Sequence, residues 1–238
     1  MEKRLNTHNP NFRKTSRRNF FGSIATGAAA VSAASLTPLT AGAKTFSDEV
    51  NNPDAAEAWF NQLTGKHKMV FDVTQPHDVL PFAWPRVFLV TNGITSAAEK
   101  EKSVVVILRH DAIPYAMDTP LWAKYKFGDV FKVTDPMTKA SSVRNPFWKP
   151  KPGDFKVPGL GNVAIGINEL QEGGVMFGVC DTAMTVYSAA VAEELKKDGA
   201  EIKKEWVAGL LPGIQVVPSG VWAIGRAQEH GCGYCFAG

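Results

Sequence analysis

Ser103-Val104-Val105-Val106-Ile107-Leu108 is a continuous, largely β-branched run with no polar alternation. A strand that is apolar on both faces is typical of the centre of a parallel sheet that helices cover on both sides. We therefore predict that this run is a central strand of an α/β domain.

Strand-like and helix-like segments alternate along the chain on both sides of this run. The other predicted strands are Lys68–Val73, Val175–Val179, Ile214–Val217 and Cys232–Ala237. The predicted helices are Asp48–Thr64, Asp78–Ile94, Asn162–Gln171, Thr182–Lys197 and Val221–Glu229. This alternation, with short connections, predicts a three-layer α/β/α sandwich with a mostly parallel sheet of about five strands.

The segment from about 120 to 158 breaks the alternation, because prolines interrupt it among basic and aromatic residues such as Phe147, Trp148 and Lys149. Loops of this length inside a domain are uncommon and are often functional. We expect an irregular surface excursion, which is either an insertion without function or a lid or oligomer contact.

The N-terminal residues have the pattern of an export signal. Ser16-Arg17-Arg18-Asn19-Phe20-Phe21 leads into an uncharged segment rich in Ala and Gly, followed by the small residues Ala41-Gly42-Ala43. The paired arginines resemble a twin-arginine signal, which a translocase reads as an address. We expect residues 1–43 to be a signal peptide, 44–65 a linker and helix, and 66–238 the domain.

The same reading predicts a periplasmic or otherwise extracytoplasmic protein whose export partner is the twin-arginine translocase. The uncharged segment is too short and too polar for the roughly 20 strongly apolar residues of a membrane span. No later segment is suitable either, so we expect no membrane span in the mature protein.

The charge distribution argues against nucleic acid as a partner. The chain has 26 basic and 23 acidic residues, but residues 1–43 contain six of the basic residues and only one of the acidic ones. The domain is therefore slightly acidic and lacks the basic surface of a nucleic-acid-binding protein. No glycine-rich phosphate-binding fingerprint is present, so no nucleotide or other cofactor is predicted.

Polar residues follow three of the predicted strands, and ligands of open parallel sheets bind outside the carboxyl ends of strands. The second predicted strand ends at Arg109-His110-Asp111, the next at Cys180-Asp181-Thr182, and Ser219 begins a predicted helix after the fourth. The candidate binding residues are Arg109, Asp111, Asp181, Thr182 and Ser219.

Cys180 is the candidate nucleophile because it lies between a strand and a helix. The unpaired N–H groups and the dipole at a helix start stabilise an anion, and the thiolate is the reactive form of cysteine. Asp181 would oppose this effect if its carboxylate capped the helix. The alternative is an inert buried cysteine, since free cysteines are commonly buried.

Cys232-Gly233-Tyr234-Cys235 forms a C-x-x-C sequence with three possible roles: a redox pair or disulfide, half of a metal site, or a structural segment. A zinc site would need further ligands from Cys180 or the histidines, and we predict no metal. In a strand the two cysteines would point to opposite faces, which disfavours a disulfide between them. No role is predicted for His67, His77 or His230.

Two segments in order carry a family resemblance. The strand and helix start Val175–Met184, taken with Val216–Gly231, resemble the C-terminal half of DsrE/DsrF-like proteins. The strand Val104–Leu108 with His110 is similar to the family's second strand and its histidine. The resemblance covers residues 66–238, with 120–158 as added material.

The resemblance implies a flavodoxin-like α/β/α fold and a homo-oligomer, a trimer or hexamer. In the sulfur-relay branch it implies a persulfide on Cys180, with His110 polarising the thiol or binding an anion. The relay members work in the cytoplasm, and an exported protein departs from that pattern.

Two functions therefore remain open, and the sequence does not decide whether the protein is an enzyme. The first is a thiol protein that accepts or relays sulfane sulfur on Cys180, assisted by His110, with Cys232 or Cys235 resolving the product by thiol–disulfide exchange. The second is a non-catalytic small-ligand-binding or assembly module on the same fold. The first requires a reactive Cys180, whereas the second tolerates Cys180→Ser.

Overall fold

A five-stranded parallel sheet forms the centre of the fold in a computed structural model that describes residues 53–95, 98 and 101–238. The strands are β1 (His67–Val73), β2 (Lys102–Leu108), β3 (Lys156–Val157), β4 (Gly161–Asn162), β5 (Val175–Cys180), β6 (Ile214–Val217) and β7 (Gly233–Phe236). β3 and β4 form a separate antiparallel ribbon, and the other five strands lie in the order β6-β5-β2-β1-β7. The predicted signal peptide lies outside the described residues.

Helices flank this sheet and confirm the predicted α/β/α architecture. They are α1 (Pro53–Phe60), α2 (Leu80–Ile94), α3 (Thr119–Tyr125), α4 (Phe127–Val130), α5 (Ile167–Glu172), α6 (Asp181–Leu195), α7 (Gly199–Ala208) and α8 (Gly220–Glu229). A 3₁₀ helix, His110–Ala116, follows β2. In the described part of the chain, no helix is both long and apolar enough to cross a bilayer.

The predicted central strand is β2, and it is buried along nearly its whole length. Val104 to Leu108 are at most 1% exposed, and β2 pairs with β1 on one side and β5 on the other. The lack of polar alternation in the sequence thus reflects helical cover on both faces.

The strand order determines where a crevice opens. The chain moves in one direction through β1, β2, β5 and β6, and α8 then returns across the sheet to place β7 beside β1. Because parallel crossovers are right-handed, α8 lies on the opposite face from α6. The connections after β5 and β6 therefore leave toward opposite faces of the sheet. A crevice opens between two such strands at their carboxyl ends, and this is where ligands bind in open α/β sheets. This order differs from the 2-1-3-4-5 order of flavodoxins.

The segment 120–158 differs from the expected surface excursion, because several of its aromatic side chains are buried in the core while other residues of the segment stay exposed. Trp122, Phe127 and Phe147 are at most 1% exposed, and the Phe147 ring lies 4.3 Å from that of Phe82 in α2. Proline prevents long regular elements here, but the aromatic side chains still bury. Asn145 satisfies the backbone by donating from Nδ2 to two carbonyl oxygens, at 2.8 and 2.9 Å.

Other differences from prediction are small. The helix predicted at Asn162–Gln171 begins only at Ile167, because Gly161–Asn162 pairs with β3. The helix predicted at Asp48–Thr64 is seen as α1, and residues 48–52 lie outside the described residues. Helix α7 was not predicted.

Candidate functional site

The carboxyl ends of three neighbouring strands bring Asp72, Arg109 and Cys180 to one edge of the sheet. Leu108 is in register with Val179, so the following residues, Arg109 and Cys180, lie at the same level. Arg109 is still extended, with φ −137° and ψ 168°, so its side chain points to the same face as that of Cys180. We name Asp72, Arg109, Cys180 and Tyr234 the strand-end row.

Arg109 is held in a fixed orientation by Asp72. Its Nε donates to Oδ1 at 2.7 Å and its Nη2 to Oδ2 at 2.9 Å, while Tyr234 Oη donates to Oδ2 at 2.8 Å. Asp72 is only 2% exposed. A bidentate pair of this kind fixes the plane of the guanidinium as well as its position.

The hydrogen bond with Asp72 is the main reason that the pKa of Arg109 is raised above its ordinary value. Charge interactions with Asp72, Tyr234 and Cys180 raise this pKa further, while partial burial opposes them. The guanidinium is therefore a permanent positive charge within electrostatic reach of the Cys180 sulfur.

Cys180 caps α6 with its own sulfur. The Ala183 N–H donates to Cys180 Sγ at 3.2 Å, and Cys180 has the extended conformation of an N-cap residue. Only 6% of Cys180 is exposed. The sulfur thus lies at the positive end of a 15-residue helix, as predicted from the sequence, with narrow access from solvent.

Asp181 does not cap this helix. Its side chain is 0% exposed and lies 2.7 Å from Lys203 Nζ, in a salt bridge that joins the first turn of α6 to α7. The ammonium of Lys203 offsets the carboxylate that the sequence placed beside the thiol. The opposing charge considered in the sequence analysis is therefore compensated.

Thr182 and Ser219 have structural positions on either side of the crevice between β5 and β6. Thr182 Oγ1 donates to the Pro218 carbonyl oxygen at 2.9 Å and so ties the two loops together. Ser219 Oγ accepts from the Trp222 N–H at 3.2 Å, which makes it the N-cap of α8, as predicted.

His110 belongs to a separate group. Its Nδ1 lies 3.3 Å from Asp111 Oδ1, and Asp111 also accepts a hydrogen bond from the Tyr187 hydroxyl. The hydrogen bond with Asp111 is the main reason that the pKa of His110 is raised. Across the described residues, no hydrogen bond or ion pair joins His110 to Cys180, whereas the charge of the Cys180 sulfur contributes to the raised pKa of Arg109.

Cys232 and Cys235 are both free thiols. Cys232 is buried just before β7 and packs in the core cluster with Phe60 and Val70, whereas Cys235 lies within β7 opposite Phe71. Burial raises the pKa of both thiols. Their redox role stays a prediction.

Asp72 and Tyr234 are site residues that the sequence analysis missed. Asp72 is the one carboxylate inside the apolar run Met69–Val73, and a buried charge needs a partner. That signal was available. In the sequence, Tyr234 is only one of the two residues between Cys232 and Cys235, and no pattern marks it as a site residue.

No group of three or more His, Cys, Asp or Glu side chains within residues 53–95, 98 and 101–238 is arranged to hold a metal ion. No protein-family model matches the chain, and a comparison with curated proteins finds no match. The chemistry of this edge of the sheet is therefore inferred from its own side chains.

Proposed function

We propose that Cys180 is a reactive thiol that accepts sulfane sulfur, in an exported protein of the DsrE/DsrF-like type. The observation that carries this proposal is the position of Sγ, which accepts the Ala183 N–H at the start of α6, in a residue that is level with Arg109 of the neighbouring strand. An N–H donor and a nearby fixed cation both favour thiolate chemistry.

The proposed step conserves atoms and charge. The Cys180 thiolate attacks a terminal sulfur of an inorganic polysulfide. The S–S bond of the donor breaks, a new S–S bond forms to Sγ, and the shortened polysulfide leaves with the electron pair. The product is a cysteine persulfide, and no external oxidant is needed.

The narrow access to Cys180 supports a small donor. With 6% of the residue exposed, a chain of a few sulfur atoms is a better fit than a folded protein surface. The paired Asp181–Lys203 also supports the proposal, because it leaves no uncompensated carboxylate beside the sulfur.

The proposal includes export by the twin-arginine translocase and assembly as a homo-oligomer, on the strength of the N-terminal motif and the family resemblance. Cell fractionation of the full chain and of Arg17→Lys/Arg18→Lys tests the first part, since the variant should stay in the cytoplasm. Light scattering of the purified protein tests the second.

The deciding experiment is mass spectrometry of the full chain after incubation with polysulfide. Wild type should gain about one sulfur mass, reductant should remove it, and Cys180→Ser should not gain it. Cys235→Ser is the matched control, because this thiol is partly exposed and lies within strand β7 rather than at the start of a helix.

An adduct in Cys180→Ser equal to that in wild type, or none in wild type, contradicts the proposal. In the second case, a small-ligand-binding or assembly module on the same fold becomes the better account. That alternative also predicts that Cys180→Ser keeps its ligand affinity.

A further inference from the structure

The cation of the strand-end row, the Arg109 guanidinium, uses only some of its hydrogen-bond donors within the protein. Arg109 donates to Asp72 through Nε and Nη2, and its Nη1 makes no hydrogen bond within the described residues. The Arg109 side chain is 28% exposed, whereas that of Asp72 is 3% exposed. Asp72 therefore orients the guanidinium from a buried position, and part of the Arg109 side chain still faces solvent.

The orienting group is itself fixed. Tyr234 Oη donates to Asp72 Oδ2 at 2.8 Å, so the carboxylate has partners on both oxygens. Burial, and after it the hydrogen bond to Asp72, raises the pKa of Tyr234, which keeps the hydroxyl protonated as a donor. The direction of the guanidinium thus depends on a network that spans β7, β1 and β2.

Helix α8 begins against the same arginine. A Cβ on Gly220 would lie 2.6 Å from both Cβ and Cδ of Arg109, so the arginine stem fills the space that a side chain would take. The N–H groups of Gly220 and Val221 donate to no acceptor within the described part of the chain. A helix start and a fixed guanidinium both attract anions.

These observations converge on the sulfur of Cys180. Arg109 and Cys180 are level on adjacent strands, and α8 starts after β6, whose Val217 is in register with Cys180. The Arg109 guanidinium and the start of α8 therefore lie on the strands that flank Cys180.

We infer that Arg109 and the start of α8 form a subsite for the negatively charged part of the sulfur donor, so that Cys180 reacts preferentially with anionic donors. This inference rests on the proposed function and names its substrate class: inorganic polysulfides and other anionic persulfides rather than neutral or cationic disulfides. Arg109 acts as a binding and positioning residue, and Asp72 and Tyr234 hold it in place.

The test uses two methanethiosulfonate reagents of similar size, one carrying a sulfonate and the other a trimethylammonium group. In both reactions the Cys180 thiolate attacks the sulfenyl sulfur and methanesulfinate leaves, so only the charge of the reagent differs. Peptide mass spectrometry of the full chain gives the rate at Cys180. Relative to a free small-molecule thiol, the ratio of anionic to cationic rates should be higher in wild type, and added salt should reduce that difference.

The informative variant is Asp72→Asn/Arg109→Gln, which removes both charges together and avoids an unpaired buried carboxylate. The ratio of anionic to cationic rates should fall by about tenfold or more, as expected when a fixed charge beside the reacting atom is lost. The matched control is Asp135→Asn/Arg144→Gln, because Arg144 Nε and Asp135 form the same kind of pair at 2.7 Å outside the strand-end row. The control should keep the wild-type ratio.

An unchanged ratio in Asp72→Asn/Arg109→Gln, an equal change in the control, or no reaction at Cys180 with either reagent overturns the inference. The outcome is separable from that of the proposed function. Charge preference without a polysulfide adduct supports the anion subsite and contradicts sulfur acceptance. A polysulfide adduct without charge preference does the reverse.

Discussion

Because Gly220 has no side chain, the Arg109 side chain can occupy the space beside it. In Gly220→Ala the new Cβ would lie 2.6 Å from two carbon atoms of the arginine stem, which cannot move without disturbing the pair with Asp72. We expect a loss of about 1–3 kcal/mol in the free energy of unfolding, the usual cost of overpacking. Urea denaturation measures it.

Gly225→Ala is the control on the same helix. Among the described residues, no atom outside the adjacent backbone of its own helix lies within 4 Å of the position of its Cβ, so alanine adds helix propensity without a clash. This variant should gain roughly 0.5–1 kcal/mol. If both variants change the free energy of unfolding in the same direction, the close contact between Gly220 and Arg109 is not what destabilises Gly220→Ala.

The pair His110–Asp111 gives the molecule a pH dependence with a defined sign. The pKa of His110 is raised in the folded state above its ordinary value of 6.5, first through its hydrogen bond with Asp111. Its contribution to stability is therefore fully present below the unfolded-state pKa and is lost as the pH rises through the folded-state pKa. The difference in stability between wild type and His110→Asn should be larger at about pH 5 than at about pH 8.5.

Asn is the chosen replacement because His110 has φ 51°, a region that asparagine tolerates. NMR titration of the His110 ring gives the pKa directly, and Asp111→Asn should lower it. An equal stability difference at both pH values would show that the pair is not coupled to folding.

Single residues differ in how much the sequence revealed about them. Ser219 and Cys180 could be predicted as helix-start residues because capping depends on neighbours within three positions. The partner of Arg109 could not, because Asp72 lies 37 residues earlier and the contact depends on the register of β1 and β2. The expectation that His110 lies beside the thiol rests on the family resemblance, which does not indicate the contact between Arg109 and Asp72.

At the scale of elements, α6 and α7 are joined by a buried ion pair. Asp181 is 0% exposed, and the Lys203 side chain only 15%. In Lys203→Met the carboxylate loses this ammonium in a buried position, which typically costs about 3–5 kcal/mol. Thermal and urea unfolding should both show the loss.

Lys204→Met provides the comparison, because Lys204 is exposed on the same helix. A surface substitution of this kind should change stability by no more than about 0.5 kcal/mol. Equal effects of the two variants would mean that the salt bridge contributes nothing beyond the helix itself.

There is a physical reason why the sequence does not predict α7. Its buried residues, Ile202 and Trp206, supply only two apolar positions among charged ones, so the hydrophobic period is weak. The start signal was present, since Asp198 accepts from two N–H groups as the N-cap. Burial of Trp206 against Phe127 stabilises this helix, and that contact joins distant parts of the chain.

At the scale of the whole molecule, the segment 120–158 extends the core. Phe147 is 1% exposed and packs against Phe82, Tyr115 and Phe155. Phe147→Ala should cost about 3–5 kcal/mol, as for other buried aromatic side chains. A mobile lid would instead leave the unfolding midpoint almost unchanged.

Val143→Ala tests the exposed part of the same segment, because Val143 is 71% exposed. Its unfolding free energy should lie within about 0.5 kcal/mol of wild type. Global stability measured by urea denaturation distinguishes the two variants.

The layered architecture could be predicted because apolar runs such as Val104–Leu108 report local burial on both faces. The strand order could not, because it depends on where α8 crosses the sheet. Likewise, the prolines around Phe147 indicated irregular backbone, but sequence alone did not show that the intervening rings would be buried.

The position of β7 beside β1 has a consequence for timing during synthesis. Tyr234 reaches Asp72 across 162 residues of chain, a much longer closure than the 37 residues between Asp72 and Arg109. During synthesis Asp72 and Arg109 are made long before Tyr234, and until β7 has been made that side of β1 lacks the strand that pairs with it in the folded sheet. If the proposed translocase exports the chain in its folded state, pairing of β7 with β1 must come before export.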